Sequence, residues 1–160
     1  MIFAIDPGPQ NTAYVVFDGI KPLEGAIVPS DQLIWQLTVC NGTYDLSIKA
    51  VACEHLQCFG MAVGKETFET AYRIGEYRQF CRSVHLPFFR IYRSEVKMAI
   101  CRNMSATDSN IRCAIIDQFG GKAAAIGKKK TPGPLYWVKK DLWSALAVAI
   151  THTKNGSQHP

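Results

Sequence analysis

Three carboxylates stand where stretches of regular structure end or begin. Asp6 closes the apolar run Ile2-Phe3-Ala4-Ile5 and is followed at once by Pro7-Gly8. Glu54 closes a second run, Ile48-Lys49-Ala50-Val51-Ala52-Cys53, and Asp141 opens the Ala- and Leu-rich stretch that ends at Ile150. Ser144 lies three residues after Asp141, on the same face of a helix. Singly, each acid has a bland use: Asp before Pro-Gly is ordinary turn chemistry, Glu54 ends a strand in solvent, and Asp141 suits the positive end of a helix. Brought together, unpaired carboxylates repel, and a cation is the usual resolution.

Whether they meet depends on the elements that carry them. Strands are expected at 2–6, 13–17 and roughly 24–28, separated by turns containing Gly8, Asn11, Gly19 and Pro22. Connections this short make antiparallel neighbours. Ser30-Asp31 opens an amphipathic helix to about Val39, with Leu33, Ile34 and Leu37 on one face. The strand at 48–53 follows that helix, so the crossover sets it parallel to the first strand. Asp6 and Glu54 then share the carboxyl edge of the sheet, where open α/β sheets place their sites.

Residues 55–61 form a loop over that edge, and 65–82 a long helix whose polar face carries Lys65, Arg73 and Arg78. A last strand covers 86–92, with Pro87 at its start, where a missing donor is tolerated. Ser94 caps a short helix from Glu95 to about Cys101. Ser105-Ala106-Thr107-Asp108 matches a capping box opening a helix through Phe119, which stops at Gly120-Gly121. The helix from Asp141, with Asp141 in its first turn, is so apolar that it must lie buried against the sheet.

Composition sets the class. A chain of 160 residues, 48% hydrophobic and 19% charged, fits one folded α/β domain, taken as 1–153 with a short tail at 154–160. No apolar run has the length of a membrane span, and the first residues enter a strand without a basic region or cleavage site. A cytoplasmic protein with no membrane partner is expected. The six cysteines include no Cys-x-x-Cys pair, so reduced, mostly buried thiols are expected. Net charge is +5, and from Gly121 to Lys140 there are six lysines and no acid. With Tyr136, Trp137 and Thr131-Pro132-Gly133-Pro134 inside it, this block reads as an exposed loop able to approach a nucleic-acid backbone.

Ile5-Asp6-Pro7-Gly8 with Thr12-Ala13-Tyr14, Glu54 at a strand end, Glu95-Val96-Lys97, and Asp141 leading into Ala145 through His152 resemble the RuvC-type Holliday junction resolvases of the RNase H-like superfamily. The resemblance runs from the first strand to the last helix, and its end motifs are the specific part. It implies an RNase H-like five-stranded mixed sheet, three antiparallel strands then two parallel, flanked by helices. It also implies a homodimer and Mg²⁺-dependent symmetric nicking of four-way DNA junctions, with Mn²⁺ as an alternative ion. Asp6, Glu54 and Asp141 match the family's metal-binding acids. Where the family commonly has a further acid, this chain has Ser144, which implies a second metal that is weaker, or held through water or the Ser144 hydroxyl. Where the family often has a lysine, it has Asp108, so a cationic role passes to Lys97 or Arg112, or is absent.

The expected mechanism follows. Two hard cations roughly 4 Å apart can activate water and relieve charge on the leaving 3′ oxygen of a phosphodiester. Such ions take oxygen ligands, so Asp6 is expected to be shared by both, with Glu54 and Asp141 holding one each. Lys65, Arg73, Arg78, Arg112, Lys97 and the lysines at 128, 129 and 130 (Lys128, Lys129, Lys130) are expected to track phosphates. Phe59 or Met61 could wedge into an open crossover; the family's aromatic matches Gln57 in position. Two rival classes stay open: a nuclease of this fold acting on other branched DNA or RNA–DNA hybrids, and a non-catalytic junction-binding scaffold. An actin-like or sugar-kinase ATPase would need a second domain, for which the chain has no room.

Overall fold

Alternation along the first strand decides the architecture. The structure is a computed structural model that describes residues 1–42, 47–57, 60 and 62–156. In β1 (Ile2–Asp6), Phe3 and Ile5 enter one hydrophobic core and Ala4 the other. A strand buried on both faces must be central. It lies between β2 (Asn11–Phe17), antiparallel, and β4 (Ala50–His55), parallel. β3 (Pro22–Pro29) adds antiparallel to β2, and β5 (Phe88–Tyr92) parallel to β4. The order is β3-β2-β1-β4-β5, the mixed five-stranded sheet expected.

One face is covered by α1 (Leu33–Gly42) and α2 (Lys65–Ser83), which bury Leu33, Leu37, Ile74 and Tyr77 against Phe3, Ile5, Val51 and Cys53. The other receives α6 (Leu142–Gly156), backed by α3 (Arg93–Cys101) and α4 (Asp108–Gln118). Ala145 through Ala149 are wholly buried, as an apolar helix requires. The sheet face that α6 meets is lined by Ala4, Ala13 and Ala52, so helix and sheet can approach closely. α6 continues to Gly156, and Lys154 donates to the Ala99 carbonyl at 3.2 Å.

Local chemistry shifts several expected boundaries. Ser30 does not open an α-helix: Ser30–Gln32 form a 3₁₀ turn, with the Ser30 side chain buried. α3 begins at Arg93, and its first turn is closed by Glu95, which accepts from the Tyr92 N–H at 2.7 Å, rather than by Ser94. The box that opens α4 is Thr107 with Asn110 rather than Ser105 with Asp108. The basic block is not a plain loop. It holds α5 (Gly121–Ala125) and a small hairpin of β6 (Gly127–Lys128) and β7 (Thr131–Pro132), while Trp137 packs, partly buried, over Gly25. Among the described residues the cysteines are free, and no helix is long and apolar enough to cross a membrane.

Candidate active site at the carboxyl edge of the sheet

Strand register and pleat bring the acids together. The last paired residues of β1 and β4 are Ile5 and Cys53, so Asp6 and Glu54 come one step beyond them on adjacent strands. Each stands two residues past an alanine that faces α6, Ala4 and Ala52, so both carboxylates belong on the α6 side. Asp141 arrives from that same side. Its carbonyl accepts from Ser144 and Ala145 N–H at 3.0 and 3.1 Å. This makes it the residue before the first turn rather than part of it. Lys140, at φ 48°, supplies the left-handed bend ahead of it.

Asp6 sits where two clefts join. The larger, about 720 Å³, lies between the Asp6–Asn11 turn, Asp141 and the start of α2, with Lys65, Glu66 and Glu69. The smaller, about 210 Å³, holds Glu54, Gln57 and Arg93. Burial pushes the Asp6 carboxyl up to about 7, reinforced by Glu54 and then Asp141; Arg93 and a hydrogen bond from Ser144 pull it back. Burial also raises Glu54, with Arg93 opposing and Asp108 adding to the rise. The site therefore holds more negative charge than its own cations offset.

A knot of buried hydroxyls fixes the turn after Asp6. Thr12 Oγ1 lies 2.9 Å from Ser30 Oγ and 3.0 Å from the Tyr77 hydroxyl, and the Gly8 N–H points to it at 3.4 Å. Ser30 donates to the Gly8 carbonyl and Tyr77 to the Ser30 carbonyl, each at 2.8 Å. Two of the three hydroxyl protons are thus committed, and the Thr12 proton alone serves its two contacts. The knot joins β1–β2, the end of β3 and α2. Thr12→Val is expected to lower stability by about 1–3 kcal/mol, since it strands buried partners; urea unfolding at fixed pH measures it.

The other expected site residues are placed less uniformly. Ser144 reaches Asp6 and Lys65 stands at the mouth of the larger cleft. Lys97, one turn along α3 from Arg93, lines neither cleft. Arg73 is engaged with Glu76 at 2.9 Å, and Arg112 stacks over Trp143 at 4.9 Å. Arg78 is exposed, and Lys128, Lys129 and Lys130 lie exposed on the hairpin. Phe59 and Met61 lie outside the described residues. The cation actually at the acids is Arg93, which the sequence reading passed over. Its Nη1 is 3.5 Å from Glu54 Oε2 and its Nη2 bonds Asp108. Its signal was positional, two residues past the buried Ile91 at the end of β5. Glu66 and Glu69 were missed too, because nothing in their spacing links α2 to Asp6.

The donor set fits a hard divalent cation. Among the described residues no group of three or more His, Cys, Asp or Glu side chains is placed to hold a metal ion by itself. Mg²⁺ needs none: it keeps several waters and uses one or two carboxylates with substrate phosphates. Burial first, and the Glu54 and Asp141 charges after it, lift Asp6, and a bound cation would offset all three.

A 3-2-1-4-5 mixed sheet with carboxylates at its carboxyl edge and a buried helix delivering a third acid defines an RNase H-like fold of the RuvC type. Two solved structures share it closely. Thermus thermophilus RuvC in complex with a Holliday junction substrate is 18% identical, with a TM-score of 0.67 over 98% of this chain and 94% of that one. A second Thermus thermophilus RuvC structure is 19% identical, with a TM-score of 0.66 over 98% and 95%. No protein-family profile matches the chain, and no curated protein is detectably similar in sequence.

Proposed function

We propose that this protein is a structure-selective endonuclease that resolves four-way DNA junctions by divalent-cation-dependent, symmetric nicking. What supports the reading is that Glu54 in one cleft and Asp141 in the other both lie near enough to Asp6 to raise its carboxyl, in a fold whose solved neighbour holds a Holliday junction. Asp6 would be shared between two Mg²⁺ ions, with Mn²⁺ as a substitute, while Glu54 and Asp141 hold one each and Ser144 offers a hydroxyl. When bound, the ions supply an activated water and relief for the leaving oxygen. The chain's own residues do the rest. Asp6 and Glu54 concentrate negative charge at a fixed point, and the hydroxyl knot keeps the turn beneath it from shifting. Lys65, Lys97, Arg78, Arg112 and Lys128–Lys130 offer cations to phosphates on the flanking arms.

Symmetric nicking needs two sites, hence a homodimer. Trp35 on α1 and Tyr72 on α2 are 61% and 63% exposed, beside a shallow apolar groove of about 620 Å³ that Ile34 and Phe80 also line. Tyr72→Glu is expected to weaken self-association at least ~30-fold, the size of a hot-spot loss. Sedimentation velocity reads this directly, and an unchanged dimer would move the interface elsewhere.

Ser144 in place of a further acid favours one competing reading, a scaffold that binds junctions without cutting them. Incubating a four-way junction, linear duplex, flap and RNA–DNA hybrid side by side with Mg²⁺ separates the readings. Paired nicks confined to the junction support resolution. Binding without nicks supports the scaffold, and hybrid or flap cutting assigns a different substrate to the same fold.

A further inference from the structure

We infer that Arg93 is the phosphate-contacting cation of the catalytic site, and that Asp108 is the residue that positions it. The inference deepens the proposed nuclease function and rests on it. Arg93 leaves β5 at the carboxyl edge, on the side where Ile91 enters the α6 core. Its side chain is 26% exposed and lines the small cleft with Asp6, Glu54 and Gln57. Among the described residues it is the only arginine or lysine lining that cleft, and Lys65 the only one lining the larger.

Two geometric features separate this arginine from an ordinary ion pair. Toward Glu54 the contact is single and long, 3.5 Å from one nitrogen, so most of the guanidinium fork is left uncommitted. Nη2 bonds Asp108, whose side chain is 83% exposed, where an ion pair contributes little to stability. The pair is therefore better explained by orientation than by folding. Asp108 draws the guanidinium away from Glu54, whose carboxylate is needed for a cation, and holds it over the cleft beside Asp6. A phosphate lying in that cleft would present non-bridging oxygens to the free edge of the fork, a geometry arginine matches and lysine does not.

In the hydrolysis the water oxygen bonds to phosphorus and gives up a proton, the P–O3′ bond breaks, and its electron pair goes to O3′, which takes up a proton, leaving a 5′-phosphate and a 3′-hydroxyl. Arg93 transfers nothing. It balances the charge growing on the non-bridging oxygens, the role in which a single preorganised donor has its largest effect.

The test is single-turnover nicking of a four-way junction by wild type, Arg93→Ala, Arg93→Gln, Arg93→Lys, Asp108→Asn and the double variant R93A/D108N. It is run beside junction affinity in EDTA, Mg²⁺ affinity by calorimetry, and thermal melting. Arg93→Ala and Arg93→Gln should each slow nicking about 100-fold or more, with junction affinity falling only a few fold. Arg93→Lys should recover part of the loss. Mg²⁺ should bind both uncharged variants more tightly than wild type, because Glu54 is freed and a positive charge is removed. Asp108→Asn should slow nicking in the wild type and add nothing in the Arg93→Ala background, as expected of coupled residues. Arg93→Gln keeps the aliphatic stem and a hydrogen-bonding end, so it stays informative if Arg93→Ala fails to fold. Nicking by Arg93→Gln within a few fold of wild type overturns the inference while leaving the nuclease reading intact. A wild type that binds junctions and Mg²⁺ but cuts nothing overturns both, and a wild type with no Mg²⁺ affinity traces that failure to the metal site.

Discussion

Asp6→Asn is expected to abolish nicking, with at least a ~1,000-fold loss if Asp6 is shared between two ions as proposed, yet to make the metal-free protein more stable at pH 8. The two effects have one cause. In the unfolded chain Asp6 ionises near its ordinary value of 3.8, whereas burial and the neighbouring acids hold its folded value up at about 7. A raised folded value means the native state binds the proton more tightly. The associated stability is therefore complete below pH 4 and is lost as the pH rises through 7. Asparagine has no proton to lose. The melting temperatures of the two proteins should coincide near pH 4 and diverge until the variant leads above pH 7. The gap is on the order of 2–4 kcal/mol, or roughly 5–15 °C for a domain of this size. Mg²⁺ should narrow it by stabilising only the wild type. Melting curves from pH 4 to 8.5, with EDTA and with Mg²⁺, measure all of this. A constant gap across that range would show that Asp6 is not held as described.

Gly8→Ala should be nearly as damaging by a different route. A Cβ at Gly8 would overlap the Asn11 carbonyl oxygen, an atom of the backbone that cannot swing aside. The Asp6–Asn11 turn must open, which pulls the Gly8 carbonyl from Ser30 and the Gly8 N–H from Thr12. A loss of about 2–4 kcal/mol is expected for such a backbone clash joined to a broken buried network. Nicking should fall even at temperatures where the variant is folded, because Asp6 loses its fixed position. Chemical denaturation together with cutting at low temperature separates the two losses. A variant with native stability and native cutting would mean that the turn has slack the structure does not show.

Much of this arrangement is legible in the chain, and the reason is periodicity. Runs such as Ile2–Ile5 and Ala50–Cys53 can only be central strands, the helix between them forces a parallel crossover, and the acids that end them are then neighbours. Asp141 was readable because the helix it introduces is apolar all round and has only the sheet to cover it. Contacts between elements that no pattern links were not readable. Arg93 is one charged residue after a strand, and only three-dimensional placement sets it between Glu54 and Asp108. Ser30 looked like a helix cap because Ser-Asp before an apolar face is cap chemistry, but its hydroxyl is claimed by Gly8 and Thr12. Trp137 looked exposed among lysines, and the space above a side-chain-less Gly25 lets it pack, partly buried, against the core. Local propensity yielded in each case to a partner distant in sequence.

The most direct test of the central claim is single-turnover incubation of purified protein with a synthetic immobile four-way DNA junction, with Mg²⁺ or with EDTA, each of the four strands labelled in turn and the products mapped to the nucleotide. The account predicts paired nicks at symmetry-related positions on two opposing strands, absent in EDTA and absent in Asp6→Asn even where that variant still binds the junction. Equal nicking by wild type and Asp6→Asn, or nicking that persists in EDTA, would contradict it.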